Sequence, residues 1–250
     1  MHTASPFHFR NKDDDELIRP AVDGTLAIME ACRENKIKRV VITSSCASIC
    51  CPAKTNQPDP VTGKYDETCW SEVDRPEGMH GYMKSKTLAE KAAWKYLEDL
   101  PADEKFELVT ILPTFVMGPA LVPTGTSVGF GVSQLDGSKK QQSATIGLVD
   151  VRDVSLMHVK GLSEPKAANQ RFCAYSGRTK GGDLGKALHE EFAKEGYKVA
   201  TDVAAPGDPD AIVDNSKAKE FFGIEFISGI EATKAMCRSV IELGLVKPAQ

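Results

Sequence analysis

The 250-residue sequence predicts an α/β protein of the doubly wound, Rossmann-like kind, built on a parallel sheet. Two segments, "KRVVITSS" (38–45) and "FELVTILP" (106–113), are short continuous apolar runs rich in β-branched residues. Such runs mark strands buried on both faces. Helical patterns alternate with them, at 13–36 before the first strand and at 79–99 between the two. That alternation sets consecutive strands parallel, because each parallel connection needs a crossover helix.

The helix over 13–36 opens on Asp13-Asp14-Asp15-Glu16, which suits the positive end of a helix dipole. Leu17, Ile18, Val22, Leu26, Met29 and Ala31 supply its expected apolar stripe. Pro20 lies deep for a first-turn proline and predicts a kink or a start near Arg19. After the first strand, Pro52, Pro58 and Pro60 predict loop. Glycines and prolines between 118 and 137 predict a loop-rich stretch with one short helix. Residues 144–162 read as strand then helix, 171–176 as strand and 183–196 as helix. "GGDLG" (181–185) reads as the start of that last helix. Two helices, at 215–222 and 229–243, close the chain. There are no repeats or low-complexity tracts.

Composition excludes several functions. A net charge of -4 with interspersed signs offers no basic footprint for nucleic acid or anionic lipid, and reads as a solvated surface. No apolar run approaches the ~18 residues of a membrane span. A basic start with an apolar middle, as in a signal peptide, is also missing. Seven cysteines are an odd number in a chain long enough to bury a core unaided, so they read as reduced thiols in the cytoplasm. Cys46, Cys50, Cys51 and Cys69 crowd together without Cys-x-x-Cys spacing and read as small apolar residues, not metal ligands. His2, His8, His80, His158 and His189 form no i,i+4 pair and read as structural.

The chemistry-bearing segment is "HGYMKSKTLAEKAAW" (80–94). Tyr82 and Lys86 are four apart at the start of a helix and share one face. An ammonium beside a phenol favours the phenolate, and bringing a phenol from ~10 to about 7 takes roughly 4 kcal/mol. The spacing alone is weak, since both residues are common. Its context strengthens it. "TSS" (43–45) ends a buried strand, and open α/β sheets bind ligands at those carboxyl ends. There Ser45 is placed to hydrogen-bond a carbonyl oxygen while Tyr82 gives a proton. "LPTFVMGP" (112–119) closes the next strand with groups suited to lining a flat ring.

These segments, with "HTASPFHF", "RPAVDGTLAIMEAC", "YDETCWSE", "VDVRDV" and "NSKAKEFFGIEF", resemble the extended short-chain dehydrogenases/reductases. The resemblance is to the branch of dihydroflavonol reductase, cinnamoyl-CoA reductase and the yeast methylglyoxal/ketone reductases, and it runs over essentially the whole chain. It implies an NADPH-dependent reductase that transfers hydride to an aldehyde or ketone, with NAD(H) as the alternative cofactor. Ser45, Tyr82 and Lys86 would be catalytic: Tyr82 as proton donor, Lys86 lowering its pKa and holding the nicotinamide ribose, and Ser45 orienting the carbonyl. Thr3, Ala4, Ser5, Thr43, Pro113, Thr114 and Val116 would join Tyr82 and Lys86 along the cofactor. Phe7, Ala47 and Met79 would wall the substrate pocket. Asp150 and Arg152 would cap and pin the helix after them. Residues 1–120, with a contribution from 144–162, would form the remainder of the Rossmann-like domain, and 121–250 mainly a small α/β substrate-binding region.

The chain departs from the pattern in two places. The family opens on strand, Gly-x-x-Gly-x-x-Gly and helix, whose glycines bring a helix N-terminus to the pyrophosphate. The chain contains no such loop. "HTASPF" instead resembles the end of the fourth strand, so the fold is expected to be N-terminally truncated by roughly 70–80 residues. That truncation would leave an apolar sheet edge prone to self-association. The smaller departure is Ala27, where relatives outside the branch carry Asn. The rival readings are a sugar-nucleotide epimerase or dehydratase, a hydroxysteroid dehydrogenase on the same scaffold, or a non-catalytic remnant that pairs through its edge.

Overall fold

Val40 and Ile42 point to one side of strand β1 (Arg39–Thr43), and Val41 points to the other. The first pair packs with Met29 of helix α1 (Asp15–Glu34) and with Ala93 and Leu97 of helix α3 (Gly81–Asp99). Val41 meets helix α5 (Val151–Ser163), where a Cβ added to Gly161 would lie 3.6 Å from it. Both faces of the strand are therefore buried, which is why its sequence is apolar without alternation. Strand β2 (Glu107–Pro113) pairs in parallel with β1, Thr43 opposite Ile111, and with strand β5 (Gln170–Ala174) on its other side. His2 forms a parallel bridge to Ile42, so the first residues run along the outer side of β1.

The computed structural model describes residues 1–5, 13–51, 57–74, 79, 81–141, 145–203 and 212–249. The chain divides into two compact units. The first, Met1–Thr114 with Val154–Ala174 and Ala211–Ile224, holds the parallel sheet β1-β2-β5. Its remaining helices are α2 (Ala47–Cys50) and α7 (Ser216–Phe222).

The second unit comprises Phe115–Asp153, Tyr175–Asp210 and Glu225–Gln250. Its sheet is mixed: β3 (Phe115–Met117) is parallel to β4 (Thr145–Asp150), and β6 (Arg178–Lys180) is antiparallel to β4. Helices α4 (Thr126–Leu135), α6 (Gly181–Phe192) and α8 (Gly229–Glu242) enclose a core that includes Leu135, Leu148, Leu188, Phe192 and Met236. Strand β4 thus belongs to the second unit and most of α5 to the first. No described helix is long and apolar enough to cross a membrane.

Two local expectations are revised and a third holds. Helix α1 starts at Asp15 and runs through Pro20 instead of beginning near Arg19, and fully buried Leu17 fixes the early turn. Its buried residues are Leu17, Ala21, Thr25 and Met29, while Ile18, Val22 and Leu26 sit at the margin and Ala31 is exposed. A spacing of four throughout rotates the contact line away from the apolar residues read as the stripe. Asp150 and Arg152 cap and pin α5 as expected: the Arg152 amide donates to Asp150 Oδ1 at 2.8 Å and its guanidinium to Oδ2 at 2.7 Å.

Candidate active site

Ser45 lies just beyond the carboxyl end of β1. The β1–β2 ladder continues past the strand, with the Ser44 amide donating to Ile111 and the Cys46 amide to Pro113. The chain then turns into α2, and the Ala47 amide donates to Ser45 Oγ at 3.1 Å. The Ser45 hydroxyl is also hydrogen-bonded to the Tyr82 phenol. Tyr82 occupies the first turn of α3, and Lys86 follows one turn later on the same face. The three predicted catalytic residues are thus brought to one end of the parallel sheet.

The electrostatics differ from expectation. Burial raises the Tyr82 pKa, and the Ser45 hydrogen bond opposes the rise without cancelling it. Lys86 lies one turn on, in the same buried stretch of α3. Its own ammonium is destabilised by burial, which brings its pKa down to about 8 against the opposing charge of Glu90. It acts on His2, whose pKa is lowered first by burial and then by Lys86. Lys86 lines a small hollow that it shares with His2, Ser5, Thr43, Ser44 and Glu90. The hollow has a volume of about 20 Å³, room for about one water.

The other predicted residues divide. Ala4 and Ser5 line the hollow with Thr43 and Lys86, whereas Thr3 is exposed and does not. The Thr43 hydroxyl meets His158 Nε2 at 2.6 Å, and His158 Nδ1 meets the Val154 carbonyl at 2.8 Å. A carbonyl only accepts, so Nδ1 carries the proton and Thr43 donates to Nε2. His158 is thereby a structural histidine, kept neutral by burial. Pro113 and Thr114 sit at the end of β2, and the Thr114 amide is tied to the Ala174 carbonyl at 3.0 Å. Val116 belongs to the second unit. Ala47 and Met79 are both buried in the first unit, and the Ala47 carbonyl accepts from Ser71 and Thr87. Phe7 lies outside the described residues.

The sequence reading missed Glu90 and Arg171, having assigned charges to the solvated surface. Glu90 is 1% exposed and Arg171 8%. They form an ion pair at 2.8 Å behind the Ser45 turn. Burial pushes the Glu90 pKa up, but the Arg171 charge and the hydrogen bonds to the carboxylate outweigh it and hold Glu90 below its ordinary range. Arg171 also stacks on Trp70 at 3.7 Å and donates to the Glu67 and Cys69 carbonyls. Two signals were legible: Glu90 lies one turn beyond Lys86 on the same face, and Arg171 opens an otherwise apolar strand. All seven cysteines are free, and no His/Cys/Asp/Glu group suited to a metal occurs among the described residues.

The sequence profile of the 3-beta hydroxysteroid dehydrogenase/isomerase family matches residues 1–171. The chain belongs to that family. It is one of the NAD(P)-dependent oxidoreductase families of the extended short-chain type. An anthocyanidin reductase of Vitis vinifera is 32% identical over 92% of this chain and 70% of its own length. Cinnamoyl-CoA reductase 1 of Arabidopsis thaliana is 33% identical over 99% of this chain and 70% of its own. Among solved structures, Gre2 of Candida albicans in complex with NADPH superposes with a TM-score of 0.79 at 29% identity, covering 96% of this chain and 76% of that one. Vestitone reductase from alfalfa, at a TM-score of 0.75 and 23% identity, shares the fold.

Proposed function

We propose that the chain catalyses NADPH-dependent reduction of an aldehyde or ketone, with Tyr82 as proton donor. The observation that carries this reading is the Ser45–Tyr82 hydrogen bond at the carboxyl end of the parallel sheet, with Lys86 one helical turn behind it. Two features favour the cofactor. Among the described residues the buried Ser5 hydroxyl has no hydrogen-bond partner, and it shares its hollow with the Lys86 ammonium. An orphaned hydroxyl beside a cation fits the edge of a polyhydroxylated ribose. The Gre2 neighbour, 29% identical, was solved with NADPH.

In this reading Ser45, Tyr82 and Lys86 are the catalytic residues. NADPH, held by these residues, would contribute the hydride chemistry of the reaction. Ser45 Oγ donates its hydrogen to the substrate oxygen and fixes its position. Tyr82 then gives its proton to that oxygen, so hydride and proton together make the alcohol. Burial keeps the phenol protonated at neutral pH, as a donor must be. Lys86 sits where a cation favours the phenolate left behind. Ala4, Ser5, Thr43, Pro113, Thr114 and Val116 would follow the cofactor, and Ala47 and Met79 would bound the substrate. The second unit would carry most of the substrate contacts, and the site of action would be the cytoplasm.

The test is Tyr82→Phe. A phenol acting as general acid is worth about 10²- to 10⁴-fold. The variant is expected to lose carbonyl reduction by that factor, followed as disappearance of NADPH, while nucleotide fluorescence titration gives an unchanged Kd. A variant with full activity removes the assigned donor. The name of the matched family makes steroid alcohols a second substrate class. A panel of small ketoaldehydes, flavonoid ketones, hydroxysteroids and nucleotide sugars separates the readings.

A further inference from the structure

We propose that Glu90 is the positioning residue of this site: one buried carboxylate holds the turn that presents Ser45 and supports the charge of Lys86. The proposal rests on the reductase reading only for the use made of those two residues.

Ser44 donates to Glu90 Oε2 at 2.5 Å. Ser48 Oγ lies 2.6 Å from the same oxygen and 2.8 Å from the Ser45 carbonyl, and the Ser48 amide donates to that carbonyl at 2.9 Å. The residues before and after Ser45 are therefore both fastened to Glu90. On its other oxygen Glu90 accepts from Thr110 of β2 at 2.9 Å and from Arg171 of β5 at 2.8 Å. Four chain segments converge on one side chain: the Ser45 turn, α3, β2 and β5. A buried network whose members are all satisfied fixes geometry more firmly than an apolar contact, because each donor would be orphaned by a shift.

The second half concerns Lys86. The titratable and polar groups that line the hollow with Lys86 are Glu90 on its own helix, His2 from the N-terminal segment and the neutral hydroxyls of Ser5, Thr25, Thr43 and Ser44. Arg171 stands behind Glu90. Among the described residues Glu90 is the anion that opposes the effect of burial on the Lys86 ammonium. Arg171 reaches both carboxylate oxygens of Glu90, and the same carboxylate lines the hollow that holds Lys86.

The test is competitive acetylation of Lys86, read by mass spectrometry across a pH series on the full chain without cofactor or substrate. The wild-type midpoint is expected at about 8. Glu90→Gln should lower it by about one pH unit, while the labelling of exposed Lys95 on the same helix is unchanged. Amides of Cys46 and Ser48 should exchange at least tenfold faster in the same variant. Because Gln leaves Arg171 buried and unpaired, Glu90→Gln/Arg171→Met serves as a neutral replacement that removes both charges, and the same fall is expected there. Glu90→Asp keeps the charge and should hold the midpoint near the wild-type value. A midpoint indifferent to Glu90→Gln and to the double variant, or one that moves as far in Glu90→Asp, overturns the charge role. Unchanged amide exchange overturns the turn-holding role. Since the labelling needs no turnover, a shifted midpoint in a chain that reduces nothing would sink the reductase reading and leave this one standing.

Discussion

Lys86 carries a cost that its helix position alone does not show. Its pKa falls from 10.5 to about 8 on folding because burial disfavours the ammonium. Below pH 8 both states carry that charge, but the folded state carries it out of water, at a cost of about 3 kcal/mol. Between about 8 and 10.5 the unfolded lysine binds a proton that the folded one has released, so stability rises with pH across that window. Lys86→Met is therefore expected to be more stable than wild type at pH 7, by about 2 kcal/mol, with the advantage shrinking toward pH 10. Urea unfolding at both pH values checks this, and an advantage that grows with pH contradicts it. The same residue shows what sequence spacing reaches. Four residues on a helix put Tyr82 and Lys86 on one face, and that was legible. Which way the ammonium turns depends on His2, Thr25 and Glu90 around it, and no local pattern encodes that.

At the scale of elements, strands and helices with strong apolar runs were legible, and short ones were not. β1, β2, β5, α3, α5 and α8 fall where hydrophobic pattern placed them. The three-residue strands β3 and β6 exist only because β4 lies between them to pair with both. The start of α8 shows the tertiary demand most sharply. Gly229 opens the helix, and a Cβ there would come within 2.3 Å of Thr179 Oγ1 and 3.0 Å of Leu148. Gly229→Ala should therefore cost about 1–3 kcal/mol by forcing α8 off the second sheet. Ser228→Ala removes the oxygen that accepts the Glu231 amide at 3.2 Å and should cost about 1 kcal/mol. In the first unit, Phe172 of β5 is fully buried against Phe221 and Phe222 of α7, at 4.9 and 4.5 Å between ring centres. Phe172→Ala should cost about 3–5 kcal/mol. Thermal denaturation ranks the three, and a Phe172→Ala chain as stable as Ser228→Ala would contradict the packing described.

For the whole molecule, two units with separate cores carry the chain, and the candidate catalytic residues all belong to the first. If the first unit binds NADPH as proposed, excess nucleotide must stabilise the fold by mass action. At a hundredfold excess over Kd that is about 2.7 kcal/mol, a rise of several degrees in Tm for a chain of this size. No shift at saturating nucleotide would mean these residues do not hold the cofactor. The outer side of β1 is occupied by His2, whose amide donates to Val41 and whose carbonyl accepts from Thr43.

Sequence by itself determined the fold class, the order of the main elements and the placement of Ser45, Tyr82 and Lys86 at one sheet end. Those follow from hydrophobic periodicity and helical spacing, which act over a few residues. Tertiary structure alone decided that Glu90 and Arg171 are buried partners instead of surface charges, that the Tyr82 phenol is raised and not lowered, and that β4 builds a second sheet. Each of these turns on desolvation and on groups up to 81 residues apart meeting in space, and burial of a charge is a property of its surroundings.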